Sequence, residues 1–109
     1  MINISIVRDK KGFIWEFTVK GHAGYGKYGS DIVCAAVSVV AYTAIGALDE
    51  LAGIKNYSEK DGYMKCSIPL DIPEDKKQTA GIILETMAIG FKQVRNAYGK
   101  YVSVLEEEV

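Results

Sequence analysis

Residues 30–53 read Ser-Asp-Ile-Val-Cys-Ala-Ala-Val-Ser-Val-Val-Ala-Tyr-Thr-Ala-Ile-Gly-Ala-Leu-Asp-Glu-Leu-Ala-Gly. Ser30 or Asp31 can cap a helix here, because their side-chain oxygens accept hydrogen bonds from the free N–H groups of a first turn. We expect the helix to run to about Ala52 and to end at Gly53. Its middle is apolar on every side, so it must be covered all round. Since a sheet covers one side, the other side should meet a second helix or a second subunit.

The same segment raises the question of a membrane span. It carries no charge from Ile32 to Leu48, a run of 17 residues, whereas a span needs about 20 apolar residues. The N-terminal residues lack the basic region and long apolar core of a signal peptide. We therefore expect a buried helix in a cytoplasmic protein that does not contact a membrane.

Two stretches before this helix alternate apolar and polar residues, which is the period of a half-buried strand. Ile2, Ile4 and Ile6 form the first, and residues 13–20 alternate in the same way. Because residues 9–12 have turn composition, residues 2–8 and 13–20 are expected to form a hairpin.

Strand and helix signals also follow the first helix. Residues 55–70 predict a second hairpin, which turns at Lys60-Asp61-Gly62, an Asp-Gly turn. A second helix is expected to begin after Asp71 and to stop at Gly99, and residues 101–105 predict a short final strand before the acidic tail. The apolar stripe of the second helix consists of Ala80, Leu84, Met87, Phe91, Val94 and Tyr98.

The composition is that of one globular domain over residues 1–109, with 49% hydrophobic and 25% charged residues. The predicted fold class is α+β: two antiparallel hairpins and a short C-terminal strand form one sheet, packed with two long helices in the order β-β-α-β-β-α-β. Thirteen basic and fourteen acidic residues leave a net charge of -1, with no dense Lys/Arg run. Nucleic-acid binders need basic surface, so direct nucleic-acid binding is not expected.

The candidate chemistry lies around a glycine-rich loop. The loop comprises residues 21–29, with the only histidine, His22, at its entrance and Cys34, one of two cysteines, after it. A base and a thiol are the minimum for thiol catalysis. Cys34 falls in the first helical turn, where free N–H groups and the helix dipole favour the reactive thiolate and could also stabilise an oxyanion. The alternatives are a small buried cysteine and a merely exposed histidine, because sequence order permits their contact without requiring it.

Neighbouring residues could support this pair. Asp31 can cap the helix or orient His22, and the cap is slightly favoured. Ser38 shares a helix face with Cys34, so its hydroxyl can reach the site or bond back to its own helix. The glycines fit a mobile lid better than a phosphate-binding motif. Tyr25 and Tyr28 would then contact an apolar substrate or simply face solvent.

Cys66 is interpreted as a core residue, because it alternates with apolar positions of the second hairpin. One histidine and two scattered cysteines lack the spacing of a zinc site, so neither a metal nor another cofactor is expected. A redox pair between Cys34 and Cys66 stays open as an alternative, although no Cys-x-x-Cys spacing supports it.

Two motifs carry a resemblance: Gly21-His22-Ala23, and then Gly29-x-Asp31-Ile-Val-Cys-Ala-Ala-Val-Ser38. Together they resemble the signature of the ribosomal-processing cysteine protease family, Prp, and the resemblance extends over nearly the whole chain. It implies a bacterial endopeptidase with His22 and Cys34 as its catalytic dyad. Asp31 and Ser38 match further positions of the motif and are possible supporting residues. The implied substrate loop comprises Gly21, Ala23, Gly24, Tyr25, Gly26, Tyr28 and Gly29.

The resemblance also implies a substrate and a mechanism. The substrate is a ribosomal protein precursor, large-subunit ribosomal protein twenty-seven, whose N-terminal extension is cut after an aromatic pair through an acyl-enzyme. The family is associated with homodimers packed through helices, which agrees with the apolar first helix. The alternative is a non-catalytic ribosome-assembly factor that binds the same protein, and a third option is a redox thiol protein.

Overall fold

The computed structural model describes residues 1–27 and 29–109. Its elements confirm the predicted α+β fold and the predicted order of strands and helices. They are β1 (Ile2–Arg8), β2 (Ile14–Lys20), α1 (Ile32–Ala52), β3 (Tyr57–Lys60), β4 (Tyr63–Ser67), α2 (Glu74–Ala97) and β5 (Val102–Glu108).

The five strands form one sheet in the order β3-β4-β2-β1-β5. Both hairpins are antiparallel and are joined by antiparallel pairing of β2 with β4, whereas β5 runs parallel to β1. The register pairs Lys20 with Tyr63. It therefore places the end of β2, where the glycine-rich loop begins, beside the β3–β4 turn. The Gly21 N–H donates to the Gly62 carbonyl at 2.8 Å across this junction.

The final strand is longer than predicted. The expectation of a short strand ending before an acidic tail is wrong, because residues 106–108 pair with β1 as part of β5. Glu106 accepts hydrogen bonds from Arg8, at 2.9 and 3.0 Å, and lies 3.1 Å from Lys92 Nζ. These cations compensate for a residue type that strands otherwise disfavour.

Helix α1 begins and ends at the predicted residues. Asp31 is its N-cap, and Gly53 follows its last turn with a φ of +66°, a left-handed conformation that glycine adopts without strain. One face of α1 packs on α2. The two helices approach closely at Gly90, where an added Cβ would lie 3.1 Å from a methyl group of Val40.

The opposite face of α1 is open to solvent within this chain. Val39 and Tyr42 are 65% and 49% exposed, and Leu51 is also exposed. By length and composition α1 could cross a membrane, yet seven of its residues are buried in the core of this fold. The predicted all-round cover is therefore incomplete in a single copy of the chain.

Candidate active site

Asp31 connects the glycine-rich loop to the start of α1. Its Oδ1 accepts hydrogen bonds from the N–H groups of Val33 and Cys34, at 2.9 and 3.1 Å. Its Oδ2 accepts from the N–H groups of Tyr25 and Gly26, at 2.8 and 3.0 Å. Burial of this carboxylate favours a raised pKa, but the four backbone donors outweigh burial and hold the pKa of Asp31 below its usual value. Asp31 is thus the predicted helix cap and also a loop anchor.

Cys34 lies in the first turn of α1, as predicted, and is half-buried. The Ala23 N–H donates a hydrogen bond to its Sγ at 3.3 Å. A backbone donor aimed at sulfur stabilises a thiolate more than a neutral thiol, because hydrogen bonds to ionised acceptors are stronger. The expectation that first-turn N–H groups serve an oxyanion is corrected here, since those of Val33 and Cys34 are bonded to Asp31.

His22 and Cys34 line the same two cavities. The first, about 620 Å³, lies between α1 and the β3–β4 hairpin. The second, about 500 Å³, lies beneath the glycine-rich loop. Ser38 lines both as well, so the structure brings together three of the predicted site residues where the cavities meet.

The first cavity has an apolar interior and a polar rim. Tyr42 and Glu59 are hydrogen-bonded to each other on that rim and connect α1 to β3. Such a lining can hold an apolar side chain while polar groups contact a peptide backbone. The apolar lining includes Ile2, Val19, Val37, Ala41 and Met64.

The glycine-rich loop is anchored at several described positions. Gly21 has a φ of +93°, and a Cβ there would lie 2.5 Å from the Met1 carbonyl oxygen, so only glycine fits without rearrangement. Gly24 and Gly29 also have positive φ. The Tyr25 ring packs edge-on against Tyr98 and Tyr101, with centroids 5.6 and 5.1 Å apart. The predicted contribution of Tyr28 lies outside the described residues.

Cys66 is buried in β4, as its alternation predicted. Burial raises the pKa of the Cys66 thiol to about 11, so this cysteine stays neutral near pH 7. Cys34 and Cys66 are both free thiols. Among residues 1–27 and 29–109, no three His, Cys, Asp or Glu side chains gather as a metal-ion site.

One neighbour of His22 was missed by the sequence reasoning. Asp61 Oδ1 lies 3.9 Å from His22 Nε2. The Asp-Gly pair was a signal for the β3–β4 turn only. Its proximity to His22 depends on the pairing of β2 with β4, which joins segments about 40 residues apart.

Comparison with known proteins gives the site a family context. The sequence model of the family described as "Cysteine protease Prp" matches residues 1–103. The chain is 30% identical over 101 residues to the ribosomal processing cysteine protease Prp of Bacillus subtilis, with 90% of each protein covered. The relative of the same name from Staphylococcus aureus is 29% identical over 103 residues, covering 92% of this chain and 93% of the relative.

Solved structures agree with these sequence matches. Crystalline Prp from S. aureus, in complex with a covalently linked product peptide, matches with a TM-score of 0.86 at 27% identity, covering 98% of this chain and 100% of that one. The crystal structure of a Streptococcus mutans protein matches with a TM-score of 0.82 at 29% identity. The match covers 100% of this chain and 96% of that one. Sequence and fold therefore agree over almost the full length of the chain. The chain belongs to the cysteine protease Prp family.

Proposed function

We propose that this cysteine protease uses His22 and Cys34 as a catalytic dyad. The observation that carries the proposal is the convergence of both side chains where two cavities meet, with a backbone N–H directed at the Cys34 sulfur. A thiolate at this point is open to a peptide that lies along the cavities. The buried thiol of Cys66 offers no comparable access.

The proposed reaction is acyl transfer in two steps. The Cys34 thiolate bonds to the scissile carbonyl carbon, the carbon–nitrogen bond breaks, and protonated His22 gives its proton to the departing amine. In the second step His22 takes a proton from water, the hydroxide attacks the thioester, and the thiolate is released. The Ala23 N–H, 3.3 Å from Sγ, stabilises the thiolate that attacks in the first step and is released in the second.

The proposed substrate is a precursor of large-subunit ribosomal protein twenty-seven, cut after the aromatic pair of its N-terminal extension. Relatives of this chain are named ribosomal processing proteases, and the S. aureus enzyme was crystallised with a linked product peptide. The apolar interior of the 620 Å³ cavity is compatible with aromatic side chains. The proposed setting is the cytoplasm, with no nucleic acid bound directly.

Incubation of the purified protein with an extended precursor peptide tests the proposal. We expect mass analysis to detect new termini after the aromatic pair, and Cys34→Ala or His22→Ala to abolish the cleavage. Cys66→Ala is the matched thiol control and should leave cleavage near the wild-type rate. Undiminished cleavage by either dyad variant would exclude the dyad, and a stable complex of intact chains would favour an assembly factor.

We also propose that the chain forms a homodimer through its helices. The support is the exposed apolar face of α1, which includes Ile32 and Val39 and which one copy of the chain leaves uncovered. An apolar helix face gains stability when a neighbour removes it from water. A second copy can supply that neighbour by symmetric packing.

A further inference from the structure

The β3–β4 turn contacts the imidazole of His22 through two consecutive residues. Asp61 Oδ1 lies 3.9 Å from His22 Nε2. A Cβ added to Gly62 would lie 3.1 Å from the same nitrogen, so the Gly62 backbone closely approaches the ring. The turn thus places both a carboxylate and a backbone surface beside Nε2.

The sheet keeps this turn in place. The turn follows β3 and leads into β4, whose pairing with β2 brings Tyr63 opposite Lys20, two residues before His22. The hydrogen bond from the Gly21 N–H to the Gly62 carbonyl, 2.8 Å long, joins the residue before His22 to the turn itself. His22 and Asp61 therefore adjoin one hydrogen-bonded backbone junction, although their side chains are both substantially exposed.

We propose that Asp61 is a positioning residue for His22, an inference that rests on the proposed dyad. The Asp61 carboxylate lies beyond hydrogen-bond distance of Nε2, so it acts on the ring through its charge. When Cys34 ionises and His22 is protonated, the Asp61 charge stabilises the resulting imidazolium. The imidazole ring packs against the backbone of Gly62. A side chain at this position would push the ring away from the turn.

Other charges face the same cavity. Glu59 and Lys60 line it beside Asp61, together with the hydroxyl groups of Tyr42 and Tyr63. Glu59 is hydrogen-bonded to Tyr42, and the Lys60 ammonium lies 5.7 Å from the centre of the Tyr63 ring. Among the described residues, the carboxylate of Asp61 is the acidic group that lies within 4 Å of the His22 ring. Its effect should therefore exceed that of a distant charge on the same surface.

Alkylation of Cys34 by iodoacetamide tests the proposal without any substrate. The variant is Asp61→Asn, because Asn-Gly forms the same kind of hairpin turn as Asp-Gly and so preserves the local fold. We expect Asp61→Asn to slow alkylation of Cys34 near pH 6 by roughly two- to fivefold, the scale of one exposed charge pair at about 4 Å. Asp61→Glu should recover part of the rate, and Asp71→Asn, a remote loss of the same charge, should change nothing.

Salt separates an electrostatic role from a structural one. The Debye length, over which salt screens a charge, falls from about 30 Å at 0.01 M to about 3 Å at 1 M ionic strength. The difference between wild type and Asp61→Asn should therefore narrow as salt is raised. With a peptide substrate, the variant should lower kcat by a larger factor than it raises KM, since Asp61 lines the cavity but its charge acts mainly on His22.

His22→Ala distinguishes the failure of this inference from the failure of the dyad. If His22→Ala slows alkylation of Cys34 and Asp61→Asn does not, the positioning role is excluded and the dyad stands. If His22→Ala leaves alkylation unchanged, the dyad itself fails. An equal loss in Asp61→Asn and Asp71→Asn, or a loss that salt does not reduce, would also overturn the role of Asp61.

Discussion

Asp31 shows how one residue can serve two elements of the site. Its two carboxylate oxygens hold the first turn of α1 and the glycine-rich loop in one cluster of hydrogen bonds. Neutralising the side chain weakens both connections, because an amide presents only one accepting oxygen. The position of Cys34 relative to Ala23 therefore depends on the charge of Asp31.

Asp31→Asn should lower the stability of the protein near pH 7 and have a smaller effect in acid. The folded pKa of Asp31 is lowered below its unfolded value, so its stabilisation is complete above about pH 4 and is lost as the pH falls through the folded pKa. Urea unfolding of both proteins at pH 7 and pH 3 measures this. Asp9 also has a lowered pKa, but it is present in both proteins, so its contribution to the pH dependence cancels in the difference between them. A difference that stays constant with pH would contradict the assignment.

Gly21→Ala should destabilise the protein by roughly 1–3 kcal/mol, the usual cost of a strained backbone position. The substituted residue would keep a φ of +93° and place its Cβ 2.5 Å from the Met1 carbonyl oxygen. Gly24→Ala is the matched control, because Gly24 also has a positive φ but an open neighbourhood. Chemical denaturation should give the larger loss for Gly21→Ala, and equal losses would show that the close approach to Met1 is unimportant.

At the scale of elements, the crossing of α1 and α2 depends on Gly90. Replacing an interior helical glycine by alanine gains about 1 kcal/mol in helix propensity. At Gly90 the new methyl group would press on Val40, whereas at Gly46 it would meet open space. Gly46→Ala should therefore raise the free energy of unfolding by about 0.5–1 kcal/mol and Gly90→Ala by clearly less. Urea denaturation at concentrations where the chain is monomeric compares them, and an equal gain would exclude a tight crossing.

Local signals predicted the helices better than the contacts between elements. Asp31 and Gly53 bound α1 through hydrogen bonds and backbone conformations that neighbouring residues determine. The extension of β5 depended instead on Arg8 and Lys92, which are far away in the sequence. The approach of Asp61 to His22 likewise depends on the pairing of β2 with β4, two strands that are distant in the sequence. The sequence thus singled out three residues, His22, Cys34 and Ser38, that line both cavities, and it missed Asp61, a neighbour of His22 that the sheet supplies.

For the whole molecule, the exposed face of α1 predicts how copies of the chain associate. Val39→Glu should raise the dissociation constant of the proposed homodimer at least tenfold, because it would bury a charge in an apolar contact. Ile82→Glu is the matched control on α2, where Ile82 is also largely exposed. Sedimentation equilibrium measures both variants. A monomeric wild-type chain, or equal weakening by the two substitutions, would contradict dimerisation through α1.

The parallel pairing of β1 with β5 decides where an affinity tag can be attached. The two strands start together, since the Ile2 N–H bonds to the Tyr101 carbonyl at 2.8 Å. Val109 therefore follows the far end of β5. This end lies roughly 20 Å from the start of the strand, because β5 has seven residues. Met1 lies against Gly21, next to His22, and Ile2 lines the larger cavity. A purification handle fused to Val109 would leave the Cys34 thiol accessible, whereas one fused to Met1 would emerge beside the larger cavity.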